Sequence, residues 1–319
     1  MLAVYVLLDG YDLGVAAITP LIARSDRQRE ASMRSIGPFW NGNEVWLIAA
    51  GGALFALFPL AYASSFSGFY LPFIVVLWLL MFRGIAMELR SHFPSEIWHQ
   101  FWDACFAGSS ALLIFIFGVA LGNLLRGLPL GANGYFMGTL AFLLNPYASL
   151  VGVFALAVLA QHGATFVMLR IEGAPSARAR TLYNGLWIFA LVLLLAVTVA
   201  TSFVHAGLLR TPWIDGVGLI GLISLVWSRV AVSRGRAVEA FAASCAFILA
   251  LLVSAAGTLY PYLIPAYPPG RRGLSIFDAS PPPYALITAL TVIIVGLLAV
   301  IAYSSIVWRQ FATKVRIAE

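Results

Sequence analysis

Long apolar runs fill most of the chain, and short charged or proline- and glycine-rich breaks separate them. Nine runs are long enough for a membrane-spanning helix, which needs about 20 largely apolar residues. They lie at 1–22, 44–63, 68–89, 103–125, 140–168, 183–206, 213–231, 240–263 and 284–308. Because the runs are continuous and do not alternate with polar residues, they exclude the short strands of an outer-membrane barrel.

The composition supports a lipid-embedded fold. Of the 319 residues, 61% are hydrophobic and 10% are charged, whereas soluble domains carry about 25% charged residues. We predict an all-α fold class, a polytopic membrane protein with about nine transmembrane helices in two four-helix bundles plus one peripheral helix. A single integral membrane domain is expected over 1–319, with a motif-rich N-terminal half at 1–170 and a C-terminal bundle at 171–319.

The basic residues predict the orientation of the chain. Fifteen of the nineteen lysines and arginines follow odd-numbered spans or lie in the carboxyl tail, and positive residues favour the cytoplasmic side. We therefore expect the amino terminus outside and the carboxyl terminus in the cytoplasm, which an odd number of spans allows. The net charge of +6 reflects this topology and does not indicate nucleic-acid binding. The proline-rich connection 261–283 is expected at the outer surface as turns or extended chain.

Acidic residues inside apolar runs are the strongest functional signal. Asp9 and Asp12 lie in the first run, three residues apart and hence on one helical face, and Glu44 opens the second run. Ionised carboxylates are costly in hydrocarbon, so they normally face a protein interior or a water path. One interpretation is a proton-handling face, and the alternative is an acidic cluster that caps another helix. Only eight residues precede Asp9, so we expect the natural first helix to begin further upstream or the chain's start to have been assigned late.

The start of the second run offers two interpretations. Asn41 and Glu44 are candidates for the mouth of a proton path. Alternatively, Asn41 or Asn43 caps exposed backbone amides, and Glu44 complements the helix dipole. Trp40 and Trp46 suit the membrane interface.

A third group of polar residues lies near the inner ends of the third and fourth runs. We expect Arg83, Glu88 and Asp103 to form a polar network that fixes these helix ends. Arg83 either snorkels to the membrane boundary, or it neutralises a buried acid or contacts an acidic cofactor or lipid group. Asp103 either joins the network or only anchors and caps its helix.

Metal and heme ligation by this chain is not expected. The histidines do not form a convincing heme pair, and the two cysteines lie far apart without metal-ligand spacing. Any redox chemistry is therefore expected on a partner. The histidines are His92, His99, His162 and His205, and the cysteines are Cys105 and Cys245.

Taken in order, these segments resemble subunit II of the cytochrome bd-type quinol oxidases. Segment 8–14 reads Leu-Asp-Gly-Tyr-Asp-Leu-Gly, and segment 38–48 reads Pro-Phe-Trp-Asn-Gly-Asn-Glu-Val-Trp-Leu-Ile. The likeness is dense over 8–170 and sparser afterwards. It continues at 51–52, 55–56, 67–70, 82–83, Glu88, Arg90, 102–103, 118–123, 144–146 and 163–165.

The resemblance implies a role in respiratory electron transport at the bacterial cytoplasmic (inner) membrane. Such oxidases pair this subunit with a subunit I that carries two b hemes and heme d, oxidises quinol and reduces O2 to water with protons from the cytoplasm. Subunit II of the family ligates no heme, completes the assembly and helps to form a proton channel. Some members hold a structural quinone, and a small accessory subunit is an open question.

One departure concerns proton uptake. Many family members have Asp where this chain has Asn41, and asparagine does not ionise near neutral pH although its amide can order water. The expected proton pathway is Asp9, Asp12, Asn41 and Glu44; without an acid at position 41, either Glu44 takes over proton entry or the route runs through subunit I. Trp40, Asn43 and Trp46 are expected in the polar network with Arg83, Glu88 and Asp103. A secondary transporter with intramembrane acids and a purely structural membrane scaffold are the alternatives; transporters typically show inverted repeats, and no obvious repeat is present.

Overall fold

The computed structural model describes residues 1–204, 212–271, 273–311 and 313–316, and helices dominate it. His205 and Arg210 lie outside the described residues. The helices are α1 (Leu2–Ile22), α2 (Asp26–Ile36), α3 (Trp40–Leu57), α4 (Pro59–Gly68), α5 (Tyr70–Leu89), α6 (Glu96–Arg126), α7 (Leu140–Leu143), α8 (Pro146–Arg170), α9 (Ala174–Val204), α10 (Pro212–Ser233), α11 (Ala237–Leu259), α12 (Ile276–Ala279) and α13 (Pro283–Gln310). A 3₁₀ turn, Arg90–His92, follows α5.

Eight helices in the described part of the chain are long and apolar enough to cross a membrane. They are α1, α5 with its 3₁₀ turn, α6, α8, α9, α10, α11 and α13. The prediction of an all-α polytopic membrane protein is confirmed.

The segment predicted as the second span is a broken helix. α3 ends at Leu57 and α4 starts at Pro59, with Phe58 between them at φ −142° and ψ 63°. Proline has no N–H to donate and clashes with the preceding helical turn, so it opens a new helix here. The apolar run 44–63 is thus divided between two consecutive helices.

Other boundaries also differ from the predicted runs. The basic connection after α1 contains α2, which buries Ala31, Met33 and Ile36. The fifth run begins with α7 and restarts at α8, where the Asn145 side chain accepts a hydrogen bond from the Ala148 amide at 2.9 Å. Local capping and amphipathicity explain these differences.

Helix α8 is the centre of the bundle and packs against α1, α6, α9 and α11. Glycines permit its closest approaches. A Cβ built on Gly14 would lie 2.0 Å from the Leu159 carbonyl oxygen, and one on Gly163 would lie 2.3 Å from the Gly14 carbonyl carbon. α1 and α8 therefore cross with backbone against backbone, which fixes how the acidic face of α1 is presented.

The connection between α11 and α13 contains regular structure. β1 (Tyr262–Ile264) and β2 (Leu274–Ser275) pair antiparallel, with Tyr262 opposite Ser275 and Ile264 opposite Leu274. α12 follows directly, and the Ser275 side chain accepts a hydrogen bond from the Asp278 amide at its start. α13 then packs on α3 at the edge of the bundle, with none of its described residues fully buried.

Candidate functional site

A fully buried ion pair joins α1 to α5. Arg83 donates from Nη2 to Asp9 Oδ1 at 2.7 Å and from Nη1 to Asp9 Oδ2 at 3.0 Å. Both side chains are 0% exposed. Arg83 therefore contacts a buried acid and does not extend to the membrane boundary. Its two hydrogen bonds to Asp9 have the bidentate geometry of a guanidinium and a carboxylate.

Glu44 of α3 approaches the same guanidinium. Its Oε1 lies 2.9 Å from Arg83 Nη2, an ion-pair distance, although the angle does not meet hydrogen-bond geometry. The Glu44 side chain is 25% exposed, unlike its two partners. Side chains from three helices therefore meet at Arg83, and Glu44 is the one that reaches the surface of the chain.

Asp12 forms the second part of the site. Its Oδ2 accepts a hydrogen bond from Asn43 Nδ2 at 2.7 Å, and Asn43 Nδ2 also donates to the Tyr11 hydroxyl at 2.9 Å. Asp12 is fully buried, and its Oδ1 has no hydrogen-bond partner within the described chain. Tyr11 stacks on Phe166 of α8 with ring centroids 4.0 Å apart. The sequence did not single out Tyr11, although it lies inside the acidic motif.

The residues at the start of α3 differ in their surroundings. Phe39 is the N-cap residue of α3 and makes no side-chain capping bond, so Asn43 serves Asp12 and Tyr11 instead of the helix end. Trp40 covers the Arg83 guanidinium at 5.9 Å. Trp46 is buried, whereas Asn41 is exposed.

The expected network of Arg83, Glu88 and Asp103 is divided in the structure. Asp103 accepts two hydrogen bonds from Arg90, at 2.6 and 3.1 Å, away from the Arg83 pair. Glu88 is exposed, and its backbone carbonyl contacts the His92 ring. The helical repeat explains this division. Positions 83 and 90 lie nearly on one face, whereas position 88 points about 140° away from position 83.

Arg90 also links α6 to α2. Its Nη2 donates to Asp26 Oδ1 at 2.5 Å, and the same oxygen lies 3.2 Å from His99 Nδ1. Partial burial acts to raise the pKa of Asp26, but the hydrogen bond and charge of Arg90 outweigh it and lower that pKa below its ordinary value. This group ties α2 to the ends of the spanning helices.

The described histidines do not fit a heme-ligand set. His162 is buried with both ring nitrogens engaged, Nδ1 with Ser244 Oγ at 2.7 Å and Nε2 with the Leu7 carbonyl at 3.1 Å. Because Nε2 faces a carbonyl, it acts as a donor and fixes α1 against α8 near Asp9. Among the described residues there is no group of three or more His, Cys, Asp or Glu that could hold a metal ion.

The fold and site define a class: a polytopic helical membrane protein that buries an ion pair and a further carboxyl group where α1, α3 and α5 meet. A sequence model of the cytochrome bd terminal oxidase subunit II family matches residues 1–311. The chain belongs to this family. It is thus a subunit of a bd-type quinol oxidase, an oxidoreductase complex, in the bacterial inner membrane. This family assignment rejects the alternative that the chain is a secondary transporter.

Similar proteins agree with this assignment. Subunit 2 of the cytochrome bd-I ubiquinol oxidase of Escherichia coli is 29% identical, and the alignment covers 96% of this chain and 90% of that protein. A probable cytochrome oxidase subunit 2 of Haemophilus influenzae is also 29% identical, with coverage of 93% and 87%. A chain of the bd oxidase structure from Geobacillus thermodenitrificans has the same fold, with TM-score 0.72, 19% identity, and coverage of 97% and 96%.

Proposed function

We propose that this chain is the non-heme subunit that completes a heme-bearing subunit I and contributes to proton uptake from the cytoplasm. In this assignment subunit I holds the b hemes and heme d, oxidises quinol and reduces O2 to water. The observation that carries the proposal is the fully buried Asp12, whose Oδ1 lacks a hydrogen-bond partner in the described chain.

The charge balance of the site supports proton exchange. Three carboxyl groups, those of Asp9, Asp12 and Glu44, converge near one guanidinium, that of Arg83. A buried charge without a partner of opposite sign costs several kcal/mol, because it loses its hydration and gains no ion pair in return. Asp9 is matched by Arg83, so the remaining two carboxyl groups gain by binding protons or by meeting water. They are therefore the groups suited to pass protons.

The exposed end of this path indicates where subunit I docks. Glu44 is partly exposed on the α3 face, which lies next to α5, and much of α5 is uncovered. On α3, Gly51 and Gly52 also face open space that a Cβ would not fill. A carboxyl group and bare backbone facing lipid are unfavourable. We infer that subunit I covers this face and receives protons from Glu44.

Asn41 fits a supporting role in this assignment. It is exposed and cannot ionise, so it orders water at the mouth of the path while Glu44 accepts the proton. We also propose that the chain forms nine spans, arranged as two four-helix bundles with α13 as the peripheral helix. The division into halves lies between 1–170 and 171–319. The amino terminus is outside and the carboxyl terminus is in the cytoplasm. An obligate heterodimer, an accessory subunit and a structural quinone are tested by purification of the complex.

Carboxyl-to-amide substitutions test the proton role. Asp12→Asn and Glu44→Gln keep side-chain size but remove the exchangeable proton, so quinol-driven O2 consumption should fall about 10²-fold or more while the heme spectrum stays unchanged. Glu30→Gln is the matched control, since Glu30 is exposed on α2 and pairs with Arg34. Wild-type turnover in both site variants would contradict the proposal and favour a purely structural scaffold.

A further inference from the structure

A groove lies between α10 and α11, and none of its lining residues belongs to the acidic site. It has a volume of about 510 Å³. Its α10 side is Ile223, Ser224 and Trp227, and its α11 side is formed largely by the small residues Ala242, Ala243 and Ala246, with Arg236 and Glu239 at one end. Ile223 and Trp227 are 58% and 45% exposed, so the groove is open on the surface of the described chain.

The dimensions of the groove fit one extended hydrocarbon chain. From Arg236 to Ala246 the helix rises about 15 Å, half of a hydrocarbon core of about 30 Å. The volume spread over that length gives a cross-section of about 34 Å². This space accommodates one extended chain along the two helices.

Positive charge collects at one end of the groove. The turn between the two helices contains Arg234 and Arg236 around Gly235, whose φ of +72° makes the turn tight. Arg180 of α9 lies beside Gly235, with its Nη2 3.6 Å from where a Cβ would be. One carboxylate, that of Glu239, contacts Arg236 at 3.1 Å. The end of the groove therefore has three positively charged guanidinium groups and one negatively charged carboxylate, which leaves an excess of positive charge.

We propose that this groove is a binding site for an acidic phospholipid. An acyl chain lies along the alanines of α11 beside Trp227, and the phosphate meets Arg234 and Arg236. Basic residues at the end of an apolar groove between transmembrane helices provide the complementary charge for such a headgroup. This site is separate from the proton path, so its test does not depend on that proposal.

Quenching of Trp227 fluorescence tests the site directly. The delipidated oxidase complex is titrated with vesicles of phosphatidylglycerol brominated on its acyl chains, and a Trp227→Phe variant identifies the part of the quenching that belongs to this residue. We expect that part to saturate with phosphatidylglycerol and to need about fivefold more lipid in Arg236→Gln, which equals about 1 kcal/mol. Arg316→Gln is the control, because Arg316 is 88% exposed in the carboxyl tail.

Two further comparisons separate a built site from general contact with lipid. Ala242→Phe fills the groove and should abolish the Trp227-dependent quenching, whereas Val199→Phe on the exposed side of α9 should leave it unchanged. Equal quenching by brominated phosphatidylcholine, or equal titration curves for Arg236→Gln and the wild type, would overturn the proposal.

Discussion

Replacement of Arg83 by Met should destabilise this subunit more than any exposed charge removal. Methionine keeps an unbranched apolar stem, although it is shorter than arginine, and it leaves Asp9 fully buried without its cation. At a separation of about 4 Å and an effective dielectric constant of about 20, such a pair is worth about 4 kcal/mol. Removing one partner of a buried pair costs about 3–5 kcal/mol, and Glu44 loses its 2.9 Å contact as well. We therefore expect Arg83→Met to lower the free energy of unfolding by about 3–5 kcal/mol.

A double-mutant cycle isolates the pair. Asp9→Leu combined with Arg83→Met removes both charges, so most of the stability lost in Arg83→Met should return. The free energy of unfolding is measured by SDS titration of the purified complex in mixed micelles. The exposed pair of Arg316 and Glu172, 3.8 Å apart, serves as the comparison and should contribute at most about 1 kcal/mol. An Arg83→Met loss as small as that of the exposed pair would refute the reasoning.

The remaining predictions concern packing and the α2 contact. Gly14→Ala should separate α1 from α8 and lower the free energy of unfolding by about 1–3 kcal/mol or more, whereas Gly185→Ala on α9, where a Cβ meets no atom within 4 Å, should not; equal losses would contradict the crossing. His162→Phe should lower the free energy of unfolding by about 1–3 kcal/mol in the same assay, because it removes two buried hydrogen bonds, one to Ser244 of α11 and one to the Leu7 carbonyl of α1. Asp26→Asn should be less stable than the wild type at pH 7, and this difference should vanish as the pH falls below about 4. The pKa of Asp26 is lowered in the folded protein, so its ion pair with Arg90 stabilises the fold only while Asp26 is ionised. A difference that stays constant with pH would contradict this.

The approximate positions of eight of the nine predicted spans follow from the apolar pattern alone, because about twenty consecutive apolar residues have few other solutions in a membrane. The interruptions do not follow in the same way. Phe58 and Pro59 break the run 44–63, which has no charged residue after Glu44. Helix α2 forms in a charged connection and packs against α1 and α8. Such features depend on tertiary contacts that hydropathy does not contain.

The candidate site was predictable in its members but not in its pairings. Acids inside an apolar run had to face a protein interior, and Asp9 and Asp12 do. Which cation meets which acid depends on packing between residues 74 apart in the chain. Proximity in sequence suggested Glu88 as a companion of Arg83, but their separation on the helix directs them to different sides.

Time-resolved proton uptake tests the central claim most directly. The oxidase complex is reconstituted in liposomes, and uptake from the side of the basic loops is followed with a pH-sensitive dye after O2 is mixed with the reduced enzyme. The account predicts that Glu44→Gln and Asp12→Asn slow proton uptake and O2 reduction together, while heme content and the Glu30→Gln control remain as in the wild type. Proton uptake at the wild-type rate in both site variants would contradict it.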